Sequence, residues 1–364
     1  MSSTPQDSKS KLPFLDASLA ARDRPEYIAQ LRTHLINNGF MYLENAPVPA
    51  ELIAAMVEAT TKYFALPSEA KEASDLNRTM HFNGYLRRGP VESPTREQWN
   101  YGADNAGALE GSPVHHHLHG STPWPSEEVF PGGRAVMREY YDCLKKLSLQ
   151  FTKDVAEALG LGAEGFEPLF EADIERRQLR CKLLRYPQAP NSATGFYPHT
   201  DANFLTYLLQ ATPEPGLELS MPGGEWAPAA AVPGTYIVFA GDVLEKITKG
   251  IVKAPLHRVI SPEKGTRHSV GFFQGVSLDT KIVEIKYDFP QYIKDLAQAR
   301  RDREGDVMKE YPIGPNDLIP TGRVVLNMKL KAHPLVTYKF YPELFPEFFP
   351  DGLPEKWARM VDAH

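Results

Sequence analysis

His199-Thr200-Asp201, followed by Lys253-Ala254-Pro255-Leu256-His257-Arg258-Val259-Ile260 and then by Arg267-His268-Ser269-Val270-Gly271-Phe272-Phe273, decides how this chain folds. Two residues apart on an extended strand, His199 and Asp201 leave the same face and can grip one ion together. His257 must then arrive from another strand, and its segment carries the apolar and β-branched residues of one. Two imidazoles and one carboxylate cover one face of an octahedral metal and leave three adjacent positions open, the ligand set of catalytic non-haem Fe(II). Arg267 and Ser269 share a strand face in turn, where a guanidinium fork and a hydroxyl suit the far carboxylate of a dicarboxylic acid. Short strands separated by turn signals fill residues 180 to 275, the pattern of a jelly roll.

The same region carries a longer ordered series. It runs through Leu184-Arg185-Tyr186-Pro187, His199-Thr200-Asp201, Phe204-Leu205-Thr206-Tyr207-Leu208-Leu209-Gln210, Pro215-Gly216-Leu217 and Trp226. It continues through Gly241-Asp242-Val243-Leu244, Thr248-Lys249-Gly250 and His257-Arg258-Val259 to Arg267-His268-Ser269. From about Lys182 to Phe273 the chain thus resembles the catalytic core of the iron(II)/2-oxoglutarate-dependent oxygenases, in the branch related to isopenicillin N synthase. Leu12-Pro13-Phe14-Leu15-Asp16, Asn38-Gly39-Phe40-Met41-Tyr42-Leu43-Glu44-Asn45 and Phe64-Ala65-Leu66-Pro67-Ser68-Glu69-Ala70-Lys71 resemble landmarks of the helical region preceding that core. Departures are Ala46-Pro47, where members usually carry His-Gly, and Leu184, where many plant members carry Asn.

The resemblance implies an enzyme whose cofactors are Fe(II), 2-oxoglutarate and O₂, with His199, Asp201 and His257 on the metal and Arg267 and Ser269 on the far carboxylate of 2-oxoglutarate. Tyr186 is implied as a further partner of that carboxylate. Lys182, four residues before Tyr186 on the same strand face, is a candidate to neutralise the metal-bound carboxylate. The expected reaction hydroxylates, desaturates or rearranges a small organic metabolite, in secondary metabolism, with release of succinate and CO₂. The rivals are an isopenicillin N synthase-like oxidase without 2-oxoglutarate, an ethylene-forming breakdown of 2-oxoglutarate, and a catalytically dead binding module. The bland readings stay beside these: a metal-free strand-edge pair at His199 and Asp201, a core histidine at His257, a salt-bridged Arg267, a core Tyr186 and a solvated Lys182.

The fold class is therefore α+β, a double-stranded β-helix (jelly-roll) core with N-terminal and C-terminal helical extensions. The expected divisions are a polar, flexible stretch 1–11, a mainly helical region 12–175, the core 176–280 and a helical and loop extension 281–364. Tyr27, Ile28, Leu31, Leu35 and Ile36 keep helical spacing, as do Met137, Tyr141, Leu144, Leu147, Phe151, Val155 and Leu159 in a helix from about Gly133 to Leu159. Another helix is expected near Pro290 to Tyr311. Residues 77 to 131 read as a long ordered loop, and 32 prolines in 364 residues, roughly twice the usual ~5 %, call for many fixed loops.

A net charge of −6 offers no basic stripe for nucleic acid or an anionic membrane. No apolar run is long enough to span a bilayer. Cys143 and Cys181 are too few for a disulfide framework, and with no leader at Met1 to Lys11 the expectation is a cytoplasmic enzyme of a small-molecule substrate without an obligate protein partner. Tyr85, Trp99, Tyr101, Phe204, Phe273 and the run Tyr338-Phe340-Tyr341-Phe345-Phe348-Phe349 are candidate pocket or lid aromatics, with Arg87 and Arg88 as candidate anion readers. Glu92, Arg96 and Glu97 read as solvated loop charges unless the substrate pocket uses them. His115-His116-His117-Leu118-His119 has no carboxylate near it in sequence and reads as surface or pocket-lid histidines.

Overall fold

Tyr236-Ile237-Val238-Phe239-Ala240 contains no charged residue, and a strand of that composition is one buried on both faces. In the computed structural model, which describes residues 12–89, 95–104, 107–190, 193–221, 224–305, 314–355 and 357, all five of its residues are buried. The strands are β1 (Phe14–Asp16), β2 (Phe40–Glu44), β3 (Gly84–Arg88), β4 (Arg96–Gly102), β5 (Leu179–Pro187) and β6 (Thr194–His199). They continue with β7 (Leu205–Gln210), β8 (Leu217–Ser220), β9 (Trp226–Pro228), β10 (Tyr236–Ala240), β11 (His257–Ile260) and β12 (Thr266–Gln274). One sheet has the order β1-β2-β10-β7-β12-β5-β4-β3 and a smaller one the order β6-β11-β8-β9. These are the two facing sheets of a jelly roll.

Strand alternation divides the core. Tyr236, Val238 and Ala240 of β10, with Tyr207 of β7 and Phe272 of β12, face a helical layer, while Ile237, Phe239 and Leu208 face the small sheet. The helical layer is built from α1 (Arg24–Asn37), α2 (Ala50–Ala65) and α3 (Gly133–Ala158). Met137, Tyr141, Leu144, Phe151 and Val155 share one side of the helix, giving α3 a continuous buried stripe against the large sheet. After the sheets come α4 (Gln291–Glu304) and α5 (Thr321–Ala332).

Three expectations are corrected. Residues 77–131 are not only loop: β3 and β4 lie there and extend the large sheet beyond β5. Their Gly- and Arg-containing sequences carry little β signal, and pairing with β5 supplies what propensity does not. Arg96 and Glu97 are not solvated loop charges, since both belong to β4 and Glu97 is only 1 % exposed. The C-terminal aromatics make a separate core instead of a pocket wall, with Tyr341 buried and Phe340 and Phe348 packed beside Phe82, Leu326 and Leu330. The flexible stretch 1–11, Glu92, and the helix end expected at Tyr311 lie outside the described residues.

Candidate active site

β6 ends at His199 and β11 begins at His257, and the two residues are direct cross-strand partners. Asp201 lies past the end of β6, so the turn after the strand aims it. Its Oδ2 accepts a hydrogen bond from Thr206 Oγ1 at 2.6 Å, and its backbone carbonyl accepts one from Asp242 N at 2.7 Å. His199 Nε2 and His257 Nε2 stand 3.8 and 3.9 Å from Asp201 Oδ1, and ligand atoms of the three lie within 4.8 Å of one another. His199 Nδ1 lies 2.9 Å from Tyr197 O and His257 Nδ1 lies 3.1 Å from Pro255 O. A carbonyl only accepts, so each Nδ1 carries the proton and each Nε2 keeps its lone pair toward Asp201, the tautomer a metal requires. Burial and the adjacent His257 push the His199 imidazole down to about 4, leaving it neutral at physiological pH. The Phe239 ring, stacked on His257 at 4.9 Å and 2°, fixes that ligand's plane.

Arg267 is 1 % exposed. Its Nη2 donates to Gln210 Oε1 at 3.1 Å and its Nη1 to Ser269 Oγ at 3.4 Å, and its Nε has no partner. Among the described residues no carboxylate pairs with it, so the salt-bridged alternative has no partner to offer. A buried guanidinium without a counter-ion is costly, which fits a site awaiting an anion. The Tyr186 ring lies 5.6 Å from this guanidinium. Arg96 is not in solvent but stacks on Phe196 at 4.4 Å, on the cavity side of β4 with Gln98. Lys182 holds its ammonium 4.8 Å from the centre of the Phe273 ring. Burial and Arg96 push it down to about 8, with Asp201 opposing.

One cavity of about 270 Å³ is lined by His199, Asp201, His257, Arg267, Ser269, Tyr186, Lys182 and Phe273 together, with Arg96, Gln98 and Met328 beside them. The other substrate candidates are elsewhere. Trp99 and Tyr101 stack on each other in the helix-side core, because β4 directs alternate residues to opposite faces and gives Gln98 to the cavity. Tyr85 is also core and donates to Glu97 Oε1 at 2.5 Å, and Phe204 packs edge-on against Phe166 and Phe170. Arg87 pairs with Glu72, and Arg88 is exposed at the end of β3. Those six residues do not line the cavity.

The histidine run does have a carboxylate close by: Asp279, just after β12, lies 2.7 Å from His115 Nε2 and 3.0 Å from His116 Nε2. Sequence distance hid it, since the contact is made by the loop between β12 and α4. Buried His115 and partly buried His116 thereby tie residues 114–118 to that loop, in place of the surface or lid position expected of them.

Residues 178–276 match the model of the 2OG-Fe(II) oxygenase superfamily, and residues 12–127 match that of the non-haem dioxygenase in morphine synthesis N-terminal region. The chain is 32 % identical over 351 residues to the 2-oxoglutarate-dependent dioxygenase frbJ of Dothideomycetidae sp. (strain 11243), covering 92 % of this chain and 93 % of the relative. It is 30 % identical to the clavatol oxidase claD of Penicillium crustosum, over 75 % of this chain and 86 % of that one. The crystal structure of a full-length Neurospora crassa protein in complex with alpha-KG shares the fold, with a TM-score of 0.64, 22 % identity, and 80 % and 96 % of the two chains covered.

Proposed function

Because the chain belongs to the 2OG-Fe(II) oxygenase superfamily and is an Fe(II)/2-oxoglutarate-dependent dioxygenase, we propose that His199, Asp201 and His257 hold its iron while Arg267 and Ser269 take the far carboxylate of 2-oxoglutarate. The observation that carries this is the buried, carboxylate-free Arg267 in the same cavity as the three ligand side chains. Bound together, iron and 2-oxoglutarate supply an O₂-dependent oxidation with succinate and CO₂ as by-products. The chain's own residues bind, orient and shield. Gln210 and Ser269 aim the Arg267 fork. Tyr186 supplies a phenol beside the same carboxylate, and Thr206 turns Asp201 toward the two imidazoles. Lys182 adds positive charge opposite Asp201 and offsets the carboxylate nearer the metal. Leu184, Leu208, Phe239 and Val259 keep water out, which strengthens every charged contact inside.

A space of about 270 Å³ suits a small organic metabolite. We place the reaction in secondary metabolism, a reading supported by likeness to a clavatol oxidase. Residues 176–280 form the proposed catalytic core, with 12–175 and 281–364 as extensions, the first adding β1 to β4 to its large sheet and the second placing Met328 against the cavity. No helix among the described residues is long and apolar enough to cross a membrane. The free thiols of Cys143 and Cys181 support a cytoplasmic setting, with no obligate protein partner proposed. The test is anaerobic titration with Fe(II) and then 2-oxoglutarate, followed by a metabolite screen for substrate-stimulated succinate release. One equivalent of each is expected to bind, and His199→Ala, Asp201→Ala and His257→Ala each to abolish iron retention. Normal iron content in any of these variants removes that residue from the site.

A further inference from the structure

We propose that the cavity has a second anion-binding end, formed by Arg180 and Lys329, that takes a carboxylate or phosphate group of the primary substrate. This rests on the reading of the site given above. The register of β5 on β12 pairs Tyr186 with Arg267, Leu184 with Ser269, Lys182 with Gly271 and Arg180 with Phe273. These alternate residues face the cavity, since Cys181, Leu183, Val270 and Phe272 between them are buried on the helix side. Arg267 and Phe273 are six residues apart, so the Arg180 end stands about 20 Å along the strand from the Arg267 end, with Lys182 between. The cations at the far end therefore meet a different ligand from the one Arg267 grips.

That end has its own space. About 160 Å³ lined by Arg180, Lys329, Asn203 and Val325 adjoins the catalytic cavity, sharing Ala202 and Phe273 with it. Lys329 comes from α5 and lies 5.4 Å from the centre of the Phe82 ring. Arg180 donates from Nη2 to Leu118 O at 3.1 Å, and its buried Nη1 has no partner. Among the described residues neither cation pairs with a carboxylate. The charges that act on Lys329 are those of Arg180 and Lys182, which, after burial itself, push its ammonium well below the usual lysine range. His333 nearby is held neutral, pushed down to about 3 by burial and by Lys329. Like charges gathered in a desolvated space lower stability unless a counter-ion arrives. Asp201, the carboxylate that acts on Lys182, is committed to the metal. An anionic group at Arg180 and Lys329 satisfies these charges and leaves the rest of the substrate against Phe273 and Ala202, beside Asp201, where oxidation needs its C–H bond held.

The test uses wild-type protein, Lys329→Met and Arg180→Gln, each loaded anaerobically with Fe(II) and saturating 2-oxoglutarate. Each is titrated calorimetrically with benzoate and with inorganic phosphate at constant ionic strength. The wild type is expected to bind a further equivalent of at least one probe. Preference for benzoate identifies a carboxylic acid, and preference for phosphate a phosphate ester. Both variants should lose at least tenfold in probe affinity with 2-oxoglutarate affinity unchanged. Without a probe, Lys329→Met should melt at a higher temperature than wild type, because it removes a cation that stands beside Arg180 and Lys182 with no carboxylate partner among the described residues; a merely structural lysine would give a lower one. Failure of both probes to bind the 2-oxoglutarate-loaded wild type, binding that survives both substitutions, or a lower melting temperature for Lys329→Met overturns the proposal and leaves the iron site standing. A wild type that takes up no 2-oxoglutarate overturns both.

Discussion

Thr206 gives a single-atom lever on the metal site. It receives a hydrogen bond from Asn203 Nδ2 at 2.9 Å and donates its own proton to Asp201 Oδ2 at 2.6 Å, so a relay that starts outside the ligand set orients the carboxylate. Supporting bonds of this kind are typically worth 10–100-fold in metal affinity. Thr206→Val should therefore weaken Fe(II) binding by about that factor in anaerobic titration without changing the melting temperature of the apoprotein by much. Arg267 acts on the other ligand. Removing a charged hydrogen bond costs about 1.5–3 kcal/mol, so Arg267→Ala should raise the KM for 2-oxoglutarate about 10- to 100-fold, and Ser269→Ala less, in a succinate-release assay. An unchanged KM together with lost affinity for the primary substrate would instead assign Arg267 to that substrate. That His199, Asp201, His257, Arg267 and Ser269 could share one site was legible in the sequence because few side chains can do such work, and they do line one cavity. Their tautomers and supporting bonds were not legible, because Tyr197 O, Pro255 O and Thr206 Oγ1 become partners only when the strands assemble.

Between elements, two contacts transmit the fold to the site. Gly39, with φ +70°, joins α1 to β2, and a Cβ there would lie 1.7 Å from the carbonyl oxygen of Lys253. That carbonyl begins the segment whose Pro255 O fixes the His257 tautomer. Gly39→Ala should cost on the order of 1–3 kcal/mol or more in denaturant unfolding and should lower iron occupancy as well. Glu97 ties the helix Ser68–Glu72 to the large sheet: Lys71 Nζ lies 2.6 Å away, Tyr85 donates to the same oxygen, and Arg185 pairs with the other. Burial alone would raise this carboxyl, but Lys71, Tyr85 and Arg185 outweigh it and hold the carboxyl below its ordinary value. A depressed carboxyl contributes stability that is present above its unfolded value and lost as pH falls through the folded one. Glu97→Ala should then cost about 3–5 kcal/mol at pH 7, the usual penalty for breaking a buried pair, and the gap to wild type should narrow in acid unfolding below about pH 4. A gap that stays constant with pH would show that packing, not charge, is responsible.

For the molecule as a whole, the uncompensated Arg267 and the facing imidazoles mean that ligands bind the folded chain and not the unfolded one. Fe(II) and 2-oxoglutarate at about 100 times Kd should add about 2.7 kcal/mol of stability for each site, seen as a rise in melting temperature that a chelator reverses. What the sequence determined by itself is the chemistry and the class of fold. His-x-Asp, a distant His and Arg-x-Ser can serve one metal and one diacid only if short strands bring them to one interior, and the apolar run 236–240 already marks a strand covered on both faces. What only the tertiary structure decided is which face each strand turns inward and which distant groups meet there. Trp99 and Tyr101 went to the helix-side core while Gln98 took the cavity, Asp279 reached His115, and Arg180 and Lys329 of α5 came to line one space. The reason is physical: side-chain alternation has period two, so one residue of register reverses every assignment, and register is set by the neighbouring strands and by the helices that cover them.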